Sequence, residues 1–172
     1  MPTGTAPAPP PRRRRLRWLV ELAIVLLVVF GLQAFQSRSV ARGPLPPLAA
    51  AGLDGRPLSL AALGGRPALL HFWATWCGVC RLEEGTIARL GRTTPLLTVA
   101  TSSGEAAEVQ AHLAANGLDW PVILDPDGEI AARFGVRAFP TTLVLDSKGD
   151  VNSVTVGYTT ELGLRARLLL AR

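Results

Sequence analysis

The sequence predicts an α/β fold in which helices flank a mixed central sheet, preceded by one N-terminal transmembrane helix. Short apolar runs, typical of buried strands, alternate with longer segments of helical hydrophobic spacing. Residues 68–74 are apolar almost without interruption, as in a central strand that is covered on both faces. The last two predicted strands, 142–145 and 151–156, are joined by a short turn, which adds an antiparallel pair.

The N-terminal region is first basic and then apolar. Residues 2–11 are rich in proline, alanine, threonine and glycine, and five arginines follow within residues 12–17. We therefore predict a basic, disordered N-terminus over residues 1–17. Residues 18–36 would form an apolar helix of about 28 Å, close to the thickness of the hydrocarbon core of a bilayer. This segment is predicted to be a transmembrane helix.

The arginine cluster predicts the direction of insertion. Positive charge stays on the cytoplasmic side, so the chain after residue 36 is expected on the periplasmic or extracytoplasmic side of the cytoplasmic (inner) membrane. A cleaved signal peptide is the alternative, because Ser39, Val40 and Ala41 fit a small-x-small cleavage site. Either route exports the domain into a compartment that permits disulfides.

The net charge of +5 would suggest a nucleic-acid-binding protein if it were spread over the fold. From residue 43 onward, however, the chain holds 11 basic and 12 acidic residues. A nucleic-acid-binding domain needs a basic face on its own fold. We therefore predict no nucleic-acid partner.

The remaining elements follow from apolar spacing and from turn residues. Residues 37–50 are polar and then rich in proline and alanine, as in a linker, and one domain is expected over residues 51–172. Glycine, proline and aspartate separate its elements, and Asp54-Gly55, between Leu53 and Leu58, predicts a hairpin turn. The predicted strands are 68–74, 96–101, 120–124, 142–145 and 151–156, and the predicted helices are 58–63, 78–90, 104–116, 130–134 and 161–171.

Two cysteines, Cys77 and Cys80, indicate thiol-disulfide chemistry, because they lie where the predicted central strand meets the next helix. The N-terminus of a helix offers unpaired N–H groups and the positive end of the helix dipole, and both stabilise a thiolate. Two intervening residues let Cys80 reach Cys77 within the first turn. We expect Cys77 to attack a partner disulfide and Cys80 to resolve the mixed disulfide.

Other uses of two cysteines fit less well. A structural zinc site takes four ligands, and neither His71 nor His112 has the spacing of a ligand. A c-type haem site would need histidine where Arg81 stands. An inert structural disulfide remains open, although so short a ring constrains the unfolded chain little. We predict neither a metal ion nor an organic cofactor.

The segment HFWATWCGVCR, residues 71–81, resembles the active-site segment of the thioredoxin superfamily. Its first half is most similar to the membrane-tethered bacterial branch. That branch includes the thiol-disulfide oxidoreductases of cytochrome c maturation and the suppressor of copper sensitivity D proteins. The resemblance covers residues 45–172. It implies a thioredoxin fold and a protein-disulfide oxidoreductase, with exported protein thiols and disulfides as substrates and a membrane electron-transfer partner.

The resemblance also implies a substrate-binding loop that faces the cysteines. Residues 138–142, AFPTT, match the cis-proline loop of the family. Pro140 would then follow a cis peptide bond, and Phe139 and Trp76 would join it in contacting the partner. The long stretch between the cysteines and this loop implies an inserted strand–helix unit within residues 100–127.

Two further residues are candidates for redox tuning or proton transfer. His71 takes the position of a buried acid that in thioredoxin helps to remove the proton of the second cysteine, and burial would lower the pKa of a histidine there. A neutral core histidine, hydrogen-bonded to a neighbour, is the alternative. Glu83 matches a glutamate of the tethered branch, one helical turn after Cys80. Its alternative is a solvated position on the helix face.

Two other functions, those of a peroxidase and of a copper-handling protein, fit the sequence less well. A peroxiredoxin-like peroxidase would use a Thr/Ser-x-x-Cys motif instead of a nucleophile paired with Cys80. A copper-handling thiol protein could bind Cu(I) through two thiolates, but Met1 is the only methionine and no histidine cluster accompanies the cysteines. We therefore favour a disulfide oxidoreductase.

Overall fold

A computed structural model of the chain describes residues 12–37, 39–40 and 43–172. The described chain divides into two units between Phe35 and Gln36. The predicted disorder of residues 1–11 lies outside the described residues.

The described residues of the first unit all belong to one helix, α1 (Arg12–Ser37), whose last two residues are counted with the second unit. It begins six residues before the predicted apolar helix, so residues 12–17, which we predicted as disordered, form its first turns. Within the residues that the structure describes, we find no helix with the length and hydrophobicity that crossing a membrane requires.

The second unit contains a mixed sheet of five strands, which confirms the predicted α/β fold with a mixed central sheet. Its strands are β3 (Ala68–Trp73), β4 (Leu96–Thr101), β5 (Val122–Asp125), β6 (Thr141–Leu145) and β7 (Val151–Val156). In spatial order they are β5, β4, β3, β6 and β7. β3 pairs in parallel with β4, and β4 pairs in parallel with β5, whereas β6 and β7 complete the sheet with antiparallel pairs.

Four helices accompany this sheet. They are α2 (Gly78–Gly91), α3 (Ala106–Asn116), α4 (Glu129–Arg133) and α5 (Glu161–Leu170). α3 and β5 fall within residues 100–127, where the sequence predicted an inserted unit. β5 thereby becomes an edge strand parallel to its neighbour.

The region before the sheet differs from the prediction of a helix over 58–63. Two short antiparallel strands, β1 (Ala49–Ala51) and β2 (Pro57–Ser59), form a hairpin, which confirms the turn predicted at Asp54 and Gly55 but takes Leu58 and Ser59 from the predicted helix. A 3₁₀ helix over Leu60–Leu63 follows, and the Ser59 hydroxyl caps it by accepting a 3.3 Å hydrogen bond from the Ala62 N–H. Strand pairing therefore uses the first residues of a segment whose apolar spacing alone indicated a helix.

The core lies on both faces of the sheet because side chains of β3 alternate between them. Leu69 and Trp73 pack on the face that also holds both cysteines, α2, α3 and α5. Leu70 and Phe72 pack on the opposite face, beneath α4. All six residues of β3 are buried, as its apolar sequence predicts.

Part of the predicted linker belongs to the folded domain. Val40 and Leu48 are buried in the core. The Ser39 hydroxyl donates a 2.9 Å hydrogen bond to the carbonyl of Gly135, in the turn after α4. Gly135 has a φ of +71°, and a side chain there would collide with the Ser39 backbone. The domain therefore begins before residue 51, because Val40 and Leu48 are buried in its core.

Candidate active site

Cys77 and Cys80 lie at the start of α2, as predicted, and form a disulfide with a Cα–Cα distance of 5.2 Å. Cys77 is the N-cap residue, and its sulfur accepts a 3.1 Å hydrogen bond from the backbone N–H of Cys80. The Cys77 N–H donates to the carbonyl of Ala74, which closes the turn between β3 and α2. The sulfur of Cys77 thus faces a backbone donor and the positive end of the helix dipole.

The two cysteines differ in accessibility. Cys77 retains 7% of its surface exposed, and Cys80 retains 1%. The sulfur of Cys77 also lies 3.6 Å from the carbonyl oxygen of Phe139, in the loop before β6. The Phe139–Pro140 peptide bond is cis, which confirms the conformation that the resemblance implied. The active-site turn and the proline loop therefore meet at Cys77.

Trp76 is also at this meeting point, and its side chain is largely exposed. Its ring contacts the ring of Phe139 edge-on, with 6.1 Å between the centroids. The indole Nε1–H donates a 2.8 Å hydrogen bond to the carbonyl of Ser102. An exposed aromatic ring held at both ends offers a large apolar contact area at little cost in conformational entropy.

The loop after β4 supports this arrangement, and sequence reasoning did not single it out. Ser102 has a φ of +48°, unusual for a residue with a side chain. The buried Ser103 hydroxyl accepts a 3.1 Å hydrogen bond from the Thr75 N–H and donates to the Thr101 carbonyl. The only sequence signal was a Ser-Ser-Gly turn directly after a predicted strand.

His71 is buried on β3, and its Nδ1 lies 2.9 Å from the hydroxyl oxygen of Thr142 on β6. Burial lowers the pKa of His71 from 6.5 to about 3. The imidazole is therefore neutral at ordinary pH, as expected for a core histidine bonded to a neighbour. The hydrogen bond of His71 joins it to the sheet and not to the cysteines.

Glu83 is fully buried in α2, one turn after Cys80, so the alternative of a solvated position is wrong. One carboxyl oxygen accepts a 3.1 Å hydrogen bond from the Thr159 N–H. The other, Oε2, is buried without a hydrogen-bond partner among the described residues. Burial raises the pKa of Glu83 from 4.5 to about 7, although the Thr159 hydrogen bond opposes the shift.

A second buried carboxyl, Glu84, lies about 100° around α2 from Glu83 and was not predicted. Glu84 Oε1 lies 2.6 Å from Nε2 of His112 on α3. The His112 ring packs against the Trp73 ring, with 5.3 Å between the centroids. The Glu84–His112 contact joins α3, the inserted helix, to α2, the helix that carries the cysteines. Within the described residues, no three His, Cys, Asp or Glu side chains lie close enough together to hold a metal ion.

Comparison with known proteins identifies the family. The Redoxin sequence model matches residues 32–166. The chain belongs to the Redoxin family. A thioredoxin-like protein of Haemophilus influenzae is 34% identical over 154 residues, which cover 88% of this chain and 92% of that protein.

Two further relatives of this Redoxin family member have names that state a chemistry. The thiol-disulfide oxidoreductase ResA of Bacillus subtilis is 27% identical over 160 residues, covering 87% of this chain and 89% of ResA. The structure of a thiol:disulfide interchange protein of the thioredoxin family from Chlorobium tepidum superposes with a TM-score of 0.67 at 25% identity. The match covers 76% of this chain and 97% of that one. The protein is a thioredoxin-like disulfide oxidoreductase.

Proposed function

We propose that the protein exchanges disulfides with exported proteins, outside the cytoplasmic membrane, through a mixed disulfide on Cys77. The observation that carries this proposal is the position of the Cys77 sulfur. It caps α2, accepts a hydrogen bond from the Cys80 N–H and is the more exposed of the two cysteines. Each of these features favours a thiolate that a partner can reach.

The exchange proceeds in two steps. The Cys77 thiolate attacks one sulfur of the partner's disulfide, and the other partner sulfur leaves as a thiolate. Cys80 then loses its proton and attacks the Cys77 sulfur, which releases the first partner sulfur. The partner gains two electrons, and Cys77 and Cys80 become a disulfide. The reverse sequence oxidises a partner dithiol.

Glu83 is the residue that we assign to proton transfer from Cys80. It follows Cys80 by one helical turn, its pKa of about 7 suits a base near neutral pH, and Oε2 has no hydrogen-bond partner among the described residues. His71, the other candidate, is a weaker base with a pKa of about 3, and its Nδ1 is engaged with Thr142. We assign His71 to holding β3 and β6 together beneath the site.

The proline loop is the proposed contact for the partner chain. Phe139 presents its carbonyl beside Cys77, and Pro140 and Trp76 border the same position. A partner segment lying along this loop would bring its cysteine sulfur to Cys77. Trp76 and Phe139 would then contact the residues that flank that cysteine.

Export rests on the sequence of the N-terminus. Five arginines precede an apolar segment over residues 18–36, the arrangement of a membrane anchor or of a signal peptide. We propose a single-pass anchor in the cytoplasmic membrane and a membrane dithiol partner that returns electrons to Cys77 and Cys80. A C-terminal alkaline phosphatase fusion should be active in cells, and an inactive one would refute export. Retention in the membrane fraction after a carbonate wash would support the anchor, and release would support cleavage.

The activity is tested with the purified full chain. The reduced protein should reduce insulin disulfides, and Cys77→Ser should abolish this activity. Equal rates for both proteins would refute the proposal. The redox state of the two cysteines in intact cells then gives the direction of electron flow, because a reductase is kept mostly reduced and an oxidase mostly oxidised.

A further inference from the structure

A cleft of about 460 Å³ lies at the edge of the sheet opposite the active site. Pro67 and Pro95, which directly precede β3 and β4, form one wall of the cleft, and the second half of α5 forms the other. β3 runs from this edge of the sheet to the active-site turn, and its six residues span about 20 Å. The cleft is therefore separate from the site at Cys77.

Positive charge is concentrated in this cleft. Arg66, Arg165 and Arg172 line it, and the described residues of its wall include no aspartate or glutamate. The side chain of Arg66 is exposed and makes no ion pair or hydrogen bond with the part of the chain that the structure describes. Its guanidinium group is thus available to a ligand from outside the protein.

Glu161 reduces this positive charge but does not cancel it. Its carboxylate pairs at 2.9 Å with Arg165, one turn along α5, and at 2.9 Å with Arg89 of α2. Arg89 therefore joins the three arginines of the cleft. Even with the terminal carboxylate of Arg172 counted, four guanidinium groups exceed two carboxylates. This end of the domain is basic, although the chain after residue 43 is nearly neutral.

Exposed leucines lie beside the arginines on α5. Leu162, Arg165 and Leu169 fall within about 60° of one another around the helix axis. Leu162 is 78% exposed and Leu169 is 59% exposed. Leu169 also lines the cleft, together with Arg172. We call Arg66, Leu162, Arg165, Leu169 and Arg172 the arginine–leucine face.

The composition of the arginine–leucine face favours the surface of an anionic bilayer as its partner. Exposed leucines on a helix can enter the interfacial layer of a bilayer, and arginines beside them bind lipid phosphates. A second copy of the chain would instead bring the same arginines against one another. A soluble polyanion would match the arginines but would leave both leucines in water.

We propose that the arginine–leucine face docks on a bilayer that contains anionic phospholipids. Arg66, Arg165 and Arg172 bind the phosphate groups, and Leu162 and Leu169 enter the interfacial layer. This inference goes beyond the proposed function, because it assigns a second binding surface in which no thiol takes part. Since the face lies at the opposite edge of the sheet from Cys77, docking holds the cysteines away from the lipid and open to protein partners.

The test mixes the full chain with lipid nanodiscs and follows the reaction of each arginine with phenylglyoxal by mass spectrometry. One set of nanodiscs contains phosphatidylcholine alone, and the other contains about one-third phosphatidylglycerol. The anionic nanodiscs should slow the modification of Arg66 and Arg172 about fivefold, and high salt should remove this protection. Arg56, whose side chain is 84% exposed beside β2, should react at the same rate with both.

Variants distinguish a bilayer from other partners. Arg66→Gln should remove most of the protection of Arg172 and leave the unfolding temperature unchanged, whereas the matched control Arg56→Gln should keep the protection. Leu169→Asn should also lower it, because a soluble anion does not require the leucine. Equal modification rates with the two kinds of nanodisc would overturn the proposal, as would protection by phosphatidylcholine alone. Protection by inorganic phosphate or polyglutamate without lipid would overturn it too, and would assign the cleft to a soluble anion.

Discussion

The backbone N–H of Thr159 donates a 3.1 Å hydrogen bond to Glu83, a fully buried carboxyl one helical turn beyond Cys80. The hydrogen bond stabilises the ionised form, but burial has the larger effect and raises the pKa of Glu83 to about 7. The group can therefore exchange a proton in the pH range where disulfide exchange takes place. Its ionisation has consequences both for stability and for rate.

Glu83→Gln is expected to remove a pH-dependent loss of stability. The pKa of Glu83 is about 7 in the folded protein against 4.5 in the unfolded chain, so its stabilising contribution is full below pH 4.5. It declines as pH rises to about 7, by about 3 kcal/mol in all. In urea unfolding of the oxidised protein, the free energy of unfolding of Glu83→Gln should rise relative to that of wild type by about 3 kcal/mol between pH 4.5 and about pH 7. Glu105→Gln, an exposed control, should follow wild type, and parallel curves for Glu83→Gln would contradict the prediction.

The same substitution is expected to slow the resolving step. Without the carboxylate, Cys80 loses the group that accepts its proton, and the rate should fall by about 10²-fold near neutral pH. Stopped-flow measurement of resolution of a preformed mixed disulfide should show a step near pH 7 in wild type that is missing in Glu83→Gln. His71→Asn should retain the step, because the pKa of His71 is about 3. A step that survives in Glu83→Gln but disappears in His71→Asn would exchange the two assignments.

His71 should make wild type sensitive to acid. The pKa of His71 is about 3 when folded and 6.5 when unfolded, so the unfolded chain binds the proton first. Stability is therefore lost as pH falls from about 6.5 toward about 3. His71→Asn lacks this titration, so its free energy of unfolding should fall less steeply with acid than that of wild type. Denaturant titrations between pH 7 and pH 4 measure the slope, and identical slopes would show that His71 is protonated in the folded protein.

Cys80→Ala should accumulate mixed disulfides with exported proteins, because no thiol remains to release the partner from Cys77. Cys77→Ala should accumulate few, since Cys80 is only 1% exposed. Non-reducing gels of acid-trapped cells, followed by reduction in a second dimension, would measure both. More adducts in Cys77→Ala than in Cys80→Ala would reverse the roles of the two cysteines.

Ser103→Ala should destabilise the active-site loop. The substitution leaves the Thr75 N–H without its acceptor in a part-buried site, which costs about 1–3 kcal/mol. Thermal unfolding should show the loss, and Ser147→Ala, at an exposed position in a turn, should not. The variant should also react more slowly with insulin, because Trp76 follows Thr75 in the same loop. Unchanged stability would mean that water replaces the serine hydroxyl.

The sequence by itself determined the alternation of strands and helices, the buried central strand and the position of Cys77 at the start of α2. These features depend on local properties, because hydrophobic period, turn residues and the geometry of a helix terminus act over a few neighbouring residues. Local patterns were less informative near residue 58, where pairing with β1 produced a strand instead of the predicted helix.

Only the tertiary structure decided which polar side chains are buried and what they contact. Glu83 and Glu84 are adjacent in sequence, yet one is held by Thr159 and the other by His112, which lie 76 and 28 residues away. Likewise Ser39, in the predicted linker, bonds to Gly135, 96 residues away. The local sequence around a glutamate on a helix does not show whether its carboxyl faces water or a neighbouring element. Its pKa, and hence its chemistry, depends on desolvation and partners that only the packed fold supplies.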